Sequence, residues 1–322
     1  MAKFFIKRAI SSIALLFGLA TIVFLLAHLA PGDPAARMLS PSISAAAAEE
    51  LRRQFGLDEP LARQYLDWLS NAMTGNLGLS FSHYRPVSAV ILDVLPNTAV
   101  LAFAAIAIEL AIGISLGTLA ARAPHSWLDR VLSGAGVVVY TLPAFWIGFM
   151  LLALFSYWLG IFPSSQMHSV GYEDLTTGGM LVDFLSHLAL PAMTIAIPGA
   201  AGIARYFRDS LVRVRSSEYV AFAESLGITK RRVFMYFELP NAAAPMVTFI
   251  GLEIGTLLAG ALITETIFAW PGMGRLAVQA ISSRDYPLIM GCTLIAGAVV
   301  IMGNFLADAL YRLLDPRARI AA

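Results

Sequence analysis

Ser216-Ser217-Glu218-Tyr219-Val220-Ala221-Phe222-Ala223-Glu224-Ser225-Leu226-Gly227, followed by Ile228-Thr229-Lys230-Arg231-Arg232 and then Phe237-Glu238-Leu239-Pro240, forms the heart of a basic island from Arg205 to Pro245. Long apolar runs flank it, Phe184–Ala204 before and Pro245–Ala269 after. Ser216 or Ser217 is placed to cap a helix whose first turn holds Glu218, where the helix dipole favours negative charge. Tyr219, Phe222, Ala223 and Leu226 recur at helical spacing and predict one apolar face. Gly227 stands where a helix commonly stops, and Thr229 can cap a second. The stretch predicts two short helices joined by a sharp glycine turn, in a loop between membrane spans. A helix of this kind either lies on the bilayer surface or fills a groove on a partner.

Working outward, the chain is apolar to a degree no soluble fold of its length needs. Of 322 residues, 58% are hydrophobic and 13% charged, against roughly 25% charged in soluble domains. The formal net charge of +1 gives no footprint for nucleic acid. Cys292 is the single cysteine, which excludes an internal disulfide framework or a cysteine metal site and reads as a small buried hydrophobe.

Six apolar runs are long enough to cross a ~30 Å hydrocarbon core: Ala9–Ala30, Leu95–Ala121, Val131–Gly160, Phe184–Ala204, Pro245–Ala269 and Pro287–Tyr311. The prediction is an all-α polytopic membrane protein with six transmembrane helices and both termini on one side. The first run is longer than a signal-peptide core and lacks an Ala-x-Ala cleavage site, so it reads as a retained span. With the N-terminus inside, 15 of the 22 basic residues, including all three lysines, fall on inner segments. The positive-inside rule then makes both termini and the 205–245 loop cytoplasmic.

The chain divides into a tail and first span (1–30), an outer loop (31–94), a core of five spans with the basic loop (95–311), and a short cytoplasmic tail (312–322). The outer loop, about 65 residues, is too long to be structureless in a compact protein. Ser44–Phe55 and Pro60–Met73 read as short helices within it, and the loop either caps the path or meets an extracytoplasmic protein. Pro191 and Pro198 are expected to bend span four. Trp270, beside Pro271-Gly272, is expected at interface depth.

Four acidic residues fall within predicted spans: Glu109 in span two, Glu253 and Glu265 in span five, and Asp308 in span six. A charge at mid-bilayer costs roughly 2.5–3.5 kcal/mol on insertion scales, so Glu109 is expected to face the bundle. Glu109, Glu253 and Asn304 are candidates for the translocation path, the alternative being helix-to-helix bonding. Glu265 and Asp308, nearer span ends, are expected to act at the interface.

No Gly-x4-Gly-Lys-Ser/Thr phosphate loop occurs, and His28, His83, His125, His168 and His187 have no metal-ligand spacing. No catalytic cluster, metal site or cofactor is expected in this chain. A proton-coupled transporter with Glu109 or Glu253 as relay is the alternative from another class, although such folds often carry internal repeats and none is visible.

The spacing of Gly227 and Phe237-Glu238-Leu239-Pro240 resembles the coupling loop of binding-protein-dependent ABC importer permeases, which reads Glu-Ala-Ala, three residues, Gly, nine residues, Ile-x-Leu-Pro. Here Ala221-Phe222-Ala223 stands at Glu-Ala-Ala and Phe237 at Ile. Pro31-Gly32-Asp33-Pro34, Pro96-Asn97-Thr98, Leu142-Pro143-Ala144-Phe145-Trp146, Leu190-Pro191-Ala192 and Gly255–Gly272 are similar to the dipeptide/oligopeptide/nickel branch, and the long first outer loop to its B-type subunit. The resemblance implies an ABC type I importer permease fold. It also implies a second, paralogous permease, two cytoplasmic ATPases that bind ATP and Mg, and an extracytoplasmic binding protein. Peptides are the expected cargo, with nickel or a metal chelate as the alternative. Ser217, Glu218, Tyr219, Phe222, Ala223, Leu226, Gly227, Leu239 and Pro240 are then the expected ATPase-coupling residues.

Overall fold

The computed structural model describes residues 2–29 and 59–314, all of them in helices, turns and short links apart from one isolated bridge, Leu79 to Pro86. The helices are α1 (Ala2–Leu29), α2 (Leu61–Met73), α3 (Val87–Ala120), α4 (Trp127–Thr141) and α5 (Ala144–Leu151, continued by a wider π turn to Trp158). Then follow α6 (Thr177–Arg215), α7 (Glu218–Ser225), α8 (Lys230–Val233, running through a π turn into the next), α9 (Leu239–Leu258), α10 (Leu262–Ile267), α11 (Met273–Ser283) and α12 (Tyr286–Leu314). The expected helix at Pro60–Met73 is α2; the one at Ser44–Phe55 lies outside the described residues.

Five helices are long and apolar enough to cross a membrane, and a sixth span follows if a bent pair is counted as one. That pair is α4 and α5, with a bend of 101° between them, where the sequence predicts one uninterrupted span over Val131–Gly160. The cause is local. Leu142 precedes Pro143, whose ring excludes the helical region for its neighbour, and Leu142 is extended at φ −70 and ψ 136. The start of α4 is set by Ser126, whose Oγ accepts the Asp129 amide at 3.2 Å, the first half of a capping box.

Span four is longer than the predicted Phe184–Ala204. It is one helix of 39 residues running uninterrupted through Pro191 and Pro198, about 58 Å long at 1.5 Å per residue. A hydrocarbon core takes up about half of that, so Arg205–Arg215 is not loop but the protruding end of the helix. Its neighbours anchor it. Arg208 grips Asp129 with two hydrogen bonds, Nε to Oδ1 at 3.0 Å and Nη2 to Oδ2 at 2.5 Å. Ile203, Phe207 and Leu211 bury against Ala121 of the α3 end and Ala242 and Met246 of α9.

Span five ends at Leu258, short of the predicted Ala269, because Gly260 turns the chain at φ +121. Glu265 therefore sits on the separate helix α10, and the structure corrects its expected interface role: it is fully buried. Its Oε1 accepts from Thr98 Oγ1 at 3.0 Å and its Oε2 from the Arg275 amide at 2.9 Å. Thr98 Oγ1 in turn accepts from the Met273 amide at 2.7 Å. Trp270 is likewise fully buried rather than facing headgroups, donating from Nε1 to the Asn97 carbonyl at 3.0 Å. Asn97 returns a bond to the Pro271 carbonyl at 2.9 Å. A Cβ on Gly272 would stand 2.4 Å from Glu265 Cδ, so only glycine admits the carboxylate there.

On the same side, Asp285 caps α12 through the Leu288 amide and is fully buried. Its Oδ2 accepts from Ser80 Oγ at 2.6 Å, Ser82 Oγ at 2.7 Å and the Ser82 amide at 2.9 Å. This ties the end of the long first loop to the α11–α12 corner, beside a core of Val87, Ile91, Met273, Leu276, Leu288 and Cys292. Burial would raise the Asp285 pKa, but the donors from Ser80, Ser82 and Phe81 outweigh it and hold the group below the ordinary carboxylate value.

Two outcomes follow from these knots. Thr98→Val removes a donor to Glu265 and an acceptor from Met273, and should cost about 1–3 kcal/mol, read as a lowered Tm in detergent. Asp285→Asn should destabilise the protein at neutral pH. A depressed folded pKa contributes stability above the unfolded value and loses it as pH falls, so wild type and variant should converge below about pH 4. A gap that stays constant between pH 7 and pH 3, as circular dichroism melts would show, removes the charge from the account.

Candidate functional site

The basic island folds as a hairpin at one end of the bundle. Ser217 and Thr229 occupy the cap positions of α7 and α8, as their residue types predict, but neither side chain bonds its helix amides. Ser217 Oγ donates backwards to the Val214 carbonyl at 2.5 Å, so the α6–α7 corner is closed from the α6 side. Gly227 has φ +75, and a Cβ there would meet nothing within 4 Å. The backbone angle, not crowding, requires glycine.

Helix α7 presents two faces, and the division differs from the predicted one. Val220 and Ala223 are buried against Val233, with Ile228 and Phe237 packed around them. Ala223, expected on the partner-facing stripe, points inward at 3% exposure. Tyr219, Phe222 and Leu226 remain outward, exposed by 42%, 65% and 64%, and Glu218 and Gly227 are exposed beside them. At i, i+3 and i+7 these three side chains form one stripe along the helix. Leu239 is half-buried against the α6–α9 core and Pro240 is exposed at the first turn of α9.

The hairpin is tied to the spans by contacts that the spacing of apolar residues does not announce. Glu238, buried, takes Arg215 Nε on its Oε2 at 2.8 Å. Arg215 Nη1 also donates to the Ala121 carbonyl at the end of α3 at 2.5 Å. One guanidinium thus joins the ends of α3 and α6 to the start of α9. The only sequence signal for it is an acidic residue inside the Phe237–Pro240 motif of an otherwise basic loop.

Within the bundle, Glu109 of α3 is buried to 1% exposure, as its mid-span position predicts. Its carboxyl group neighbours that of Glu253 on α9, and neither Glu109 oxygen finds a hydrogen-bond partner among the described residues. The α6 backbone makes room at Gly199, where a Cβ would stand 2.4 Å from Glu109 Cδ. Two of the three path candidates are brought together. The third, Asn304 on α12, is half-buried and makes no hydrogen bond among the described residues, so the helix-to-helix bond expected of it is not seen. The Asp308 side chain lies outside the described residues. Among the described residues no group of three or more His, Cys, Asp or Glu side chains is arranged to hold a metal ion.

Against this geometry, two family models match: the binding-protein-dependent transport system inner membrane component over residues 113–320, and the N-terminal region of the same components over residues 1–102. The chain belongs to that family. Among its relatives, the oligopeptide transport system permease protein AppB of Bacillus subtilis is 37% identical over 318 residues, covering 98% of this chain and 99% of that one. The dipeptide transport system permease protein DppB of Escherichia coli K12 is 35% identical over 336 residues, with 99% of each covered. The probable D,D-dipeptide permease protein DdpB of the same organism is 34% identical, covering 97% of this chain and 96% of that one. Among solved structures, the inward-facing MetNI methionine ABC transporter superposes with a TM-score of 0.55, covering 70% of this chain and 96% of that one at 15% identity. That likeness shows the fold. The chain is an ABC importer permease, a multi-pass inner membrane component of transporters that work with ATPase and substrate-binding partners.

The Gly199–Glu109 contact gives a double-mutant test. Gly199→Ala should destabilise the permease by about 1–3 kcal/mol through overpacking, and Glu109→Ala in the same chain should recover most of that. Additive losses in thermal unfolding would show that the two sites do not share the space.

Proposed function

We propose that this permease forms half of the translocation path of an ATP-driven importer of di- and oligopeptides, and that the hairpin from Ser217 to Pro240 is its docking element for a cytoplasmic ATPase. The observation that carries the reading is the outward stripe of Tyr219, Phe222 and Leu226. It stands on a helix whose opposite face is packed, at the turn that Gly227 makes and the Arg215–Glu238 pair ties to three spans. A stripe of this kind fits a groove as amphipathic helices do. Movement of the groove would pass through Arg215 to the ends of α3 and α6 and into α9, the helices that carry Glu109, Gly199 and Glu253. In this reading the loop and both termini are cytoplasmic, in agreement with the distribution of lysine and arginine. ATP and Mg belong to the ATPase partners, and Glu109, Glu253 and Asn304 face the path in at least one of its states.

Peptide rather than nickel or a metal chelate is favoured by the relatives, whose names are those of oligopeptide and dipeptide permeases over nearly the whole chain. The remaining partners would be a paralogous permease, a second ATPase and an extracytoplasmic binding protein.

Affinity purification of the tagged permease in mild detergent tests the assembly. Wild type should bring down ATPases and a second permease. Phe222→Asp, which places a charge on the exposed stripe without touching the packed face, should lose the ATPases by about tenfold or more in yield (over 1.4 kcal/mol) and keep the second permease. ATPase recovery at the wild-type level would refute the docking role. Accumulation of peptide by vesicles that lack any ATPase, on a proton gradient alone, would replace the reading with proton-coupled transport.

A further inference from the structure

Both carboxyl oxygens of Glu109 and the Oε2 of Glu253 are buried without a hydrogen-bond partner among the described residues. Glu109 is 1% exposed and Glu253 half-buried. A carboxyl group kept from water in this way is costly when neutral and far more costly when charged. No cation answers the two groups. Each faces the other, and no further titratable group, among the described residues. Helix α3 carries no other charge between Asp93 and Arg122, nor α9 between Glu238 and Glu265. Helix α12, packed on α9, has none between Asp285 and Asp308. Helix α6 presents Gly199 to Glu109, with Arg205 its nearest charged residue along the chain. Helix α4 approaches α6 near this level through Tyr140, against Gly202.

The space is also closed on the α6 side. A Cβ on Gly199 would stand 2.4 Å from Glu109 Cδ, and one on Gly113, a turn along α3, 2.6 Å from Ile203 Cγ2. Where a methyl group has no room, a hydrated metal ion or an ammonium group has none between Glu109 and α6. A proton needs no room. We propose that Glu109 and Glu253 form a proton-binding site, in which one proton shared between the two carboxyl groups latches α3 to α9. The proton makes one carboxyl an O–H donor and leaves the other as the accepting carboxylate. It thus removes one of two like charges and supplies the missing hydrogen bond at once. Glu109 is sealed, so the half-buried Glu253 is the member through which the proton enters from solvent and returns to it. Its loss leaves two facing carboxylates, which push the helices apart. The proton is a latch and not the driving force of transport, and the site requires neither the cargo nor the docking role given above.

The test uses the full-length permease with whatever partners purify with it, exchanged into heavy water in detergent. At neutral pH the infrared spectrum of wild type minus variant should show the carbonyl stretch of a protonated carboxyl group. The band should be lost in Glu109→Gln and in Glu253→Gln alike, because in each the new amide donates to the carboxylate that remains. Other buried acids, Glu265 among them, cancel in the difference. No such band in wild type overturns the proposal. A band that survives in either single variant assigns the proton to one residue and overturns the sharing. Thermal unfolding gives a readout that a merely structural role would not move. A proton held by the folded state makes stability fall as pH rises, so wild type should lose several degrees in Tm relative to Glu109→Gln between about pH 6 and about pH 9. Parallel profiles overturn the proposal. Recovery of alkaline wild type by sodium or potassium chloride, but not by choline chloride, assigns the pair to a metal cation and also overturns it. Neither readout depends on ATPase or peptide, so failure of the coupling reading would leave these results standing.

Discussion

A fully buried carboxylate at Glu265 has to find its donors inside the protein, and the surrounding structure follows from how it finds them. A polar group of this kind is tolerated when its oxygens are met by fixed donors in place of water. Here the donors are a threonine hydroxyl from α3 and a backbone amide at the start of α11. Thr98, being both donor and acceptor, also holds the Met273 amide. The consequence is geometric. Helix α10 cannot continue span five in a straight line, and Gly260 provides the turn that takes it across the bundle. Gly272 must lack a side chain, and Trp270 is drawn inward to the Asn97 carbonyl. The elements at this end are thereby fastened to one another by buried hydrogen bonds.

The two ends of the molecule are built on different terms. The end that holds Glu265 and Asp285 is cross-linked by buried hydrogen bonds. The hairpin end is held by a small apolar cluster of Val220, Ala223 and Val233, and by one guanidinium that serves three helix ends. Alternating access asks for elements with two arrangements of similar energy. An ion pair whose guanidinium stays partly exposed, unlike a dry hydrogen-bond knot, can shift its geometry on that side at little cost. Arg215 is therefore suited to carry a displacement of the hairpin into α3 and α6 without unfolding either.

What the sequence made legible was governed by period and by special backbone positions. The spans were visible because about twenty apolar residues in succession have one interpretation, and the hairpin because Gly227 and Pro240 constrain the backbone wherever they stand. The α4–α5 break was equally available at Leu142-Pro143, but a continuous apolar run masks a proline break when hydropathy alone is weighed. The inward turn of Ala223, apart from the outward Phe222 beside it, was not legible. Both sit on the apolar arc of α7, and which part of the arc is covered depends on Val233 and Phe237 arriving from the second helix. The same limit applies to Glu265. Its hydrophobic context reads as a span, and the donors that decide its role come from residues 167 positions earlier and 10 later.

The pairing of Glu109 with Glu253 is a constraint of another kind, because no described donor relieves it. Two neighbouring carboxyl groups within a low-dielectric bundle repel if both are ionised. The arrangement is stable when they share a proton or when a cation or water reaches them, and each of those conditions depends on whether the bundle is open or closed. Gly199 makes the close approach possible from α6, the helix whose far end is Arg215. A rotation of α6 that brought a neighbouring residue into the place of Gly199 would therefore displace the Glu109 carboxyl, and Arg215 lies on that same helix. The glutamate pair and the hairpin, distant from one another, are in this way joined by one continuous helix.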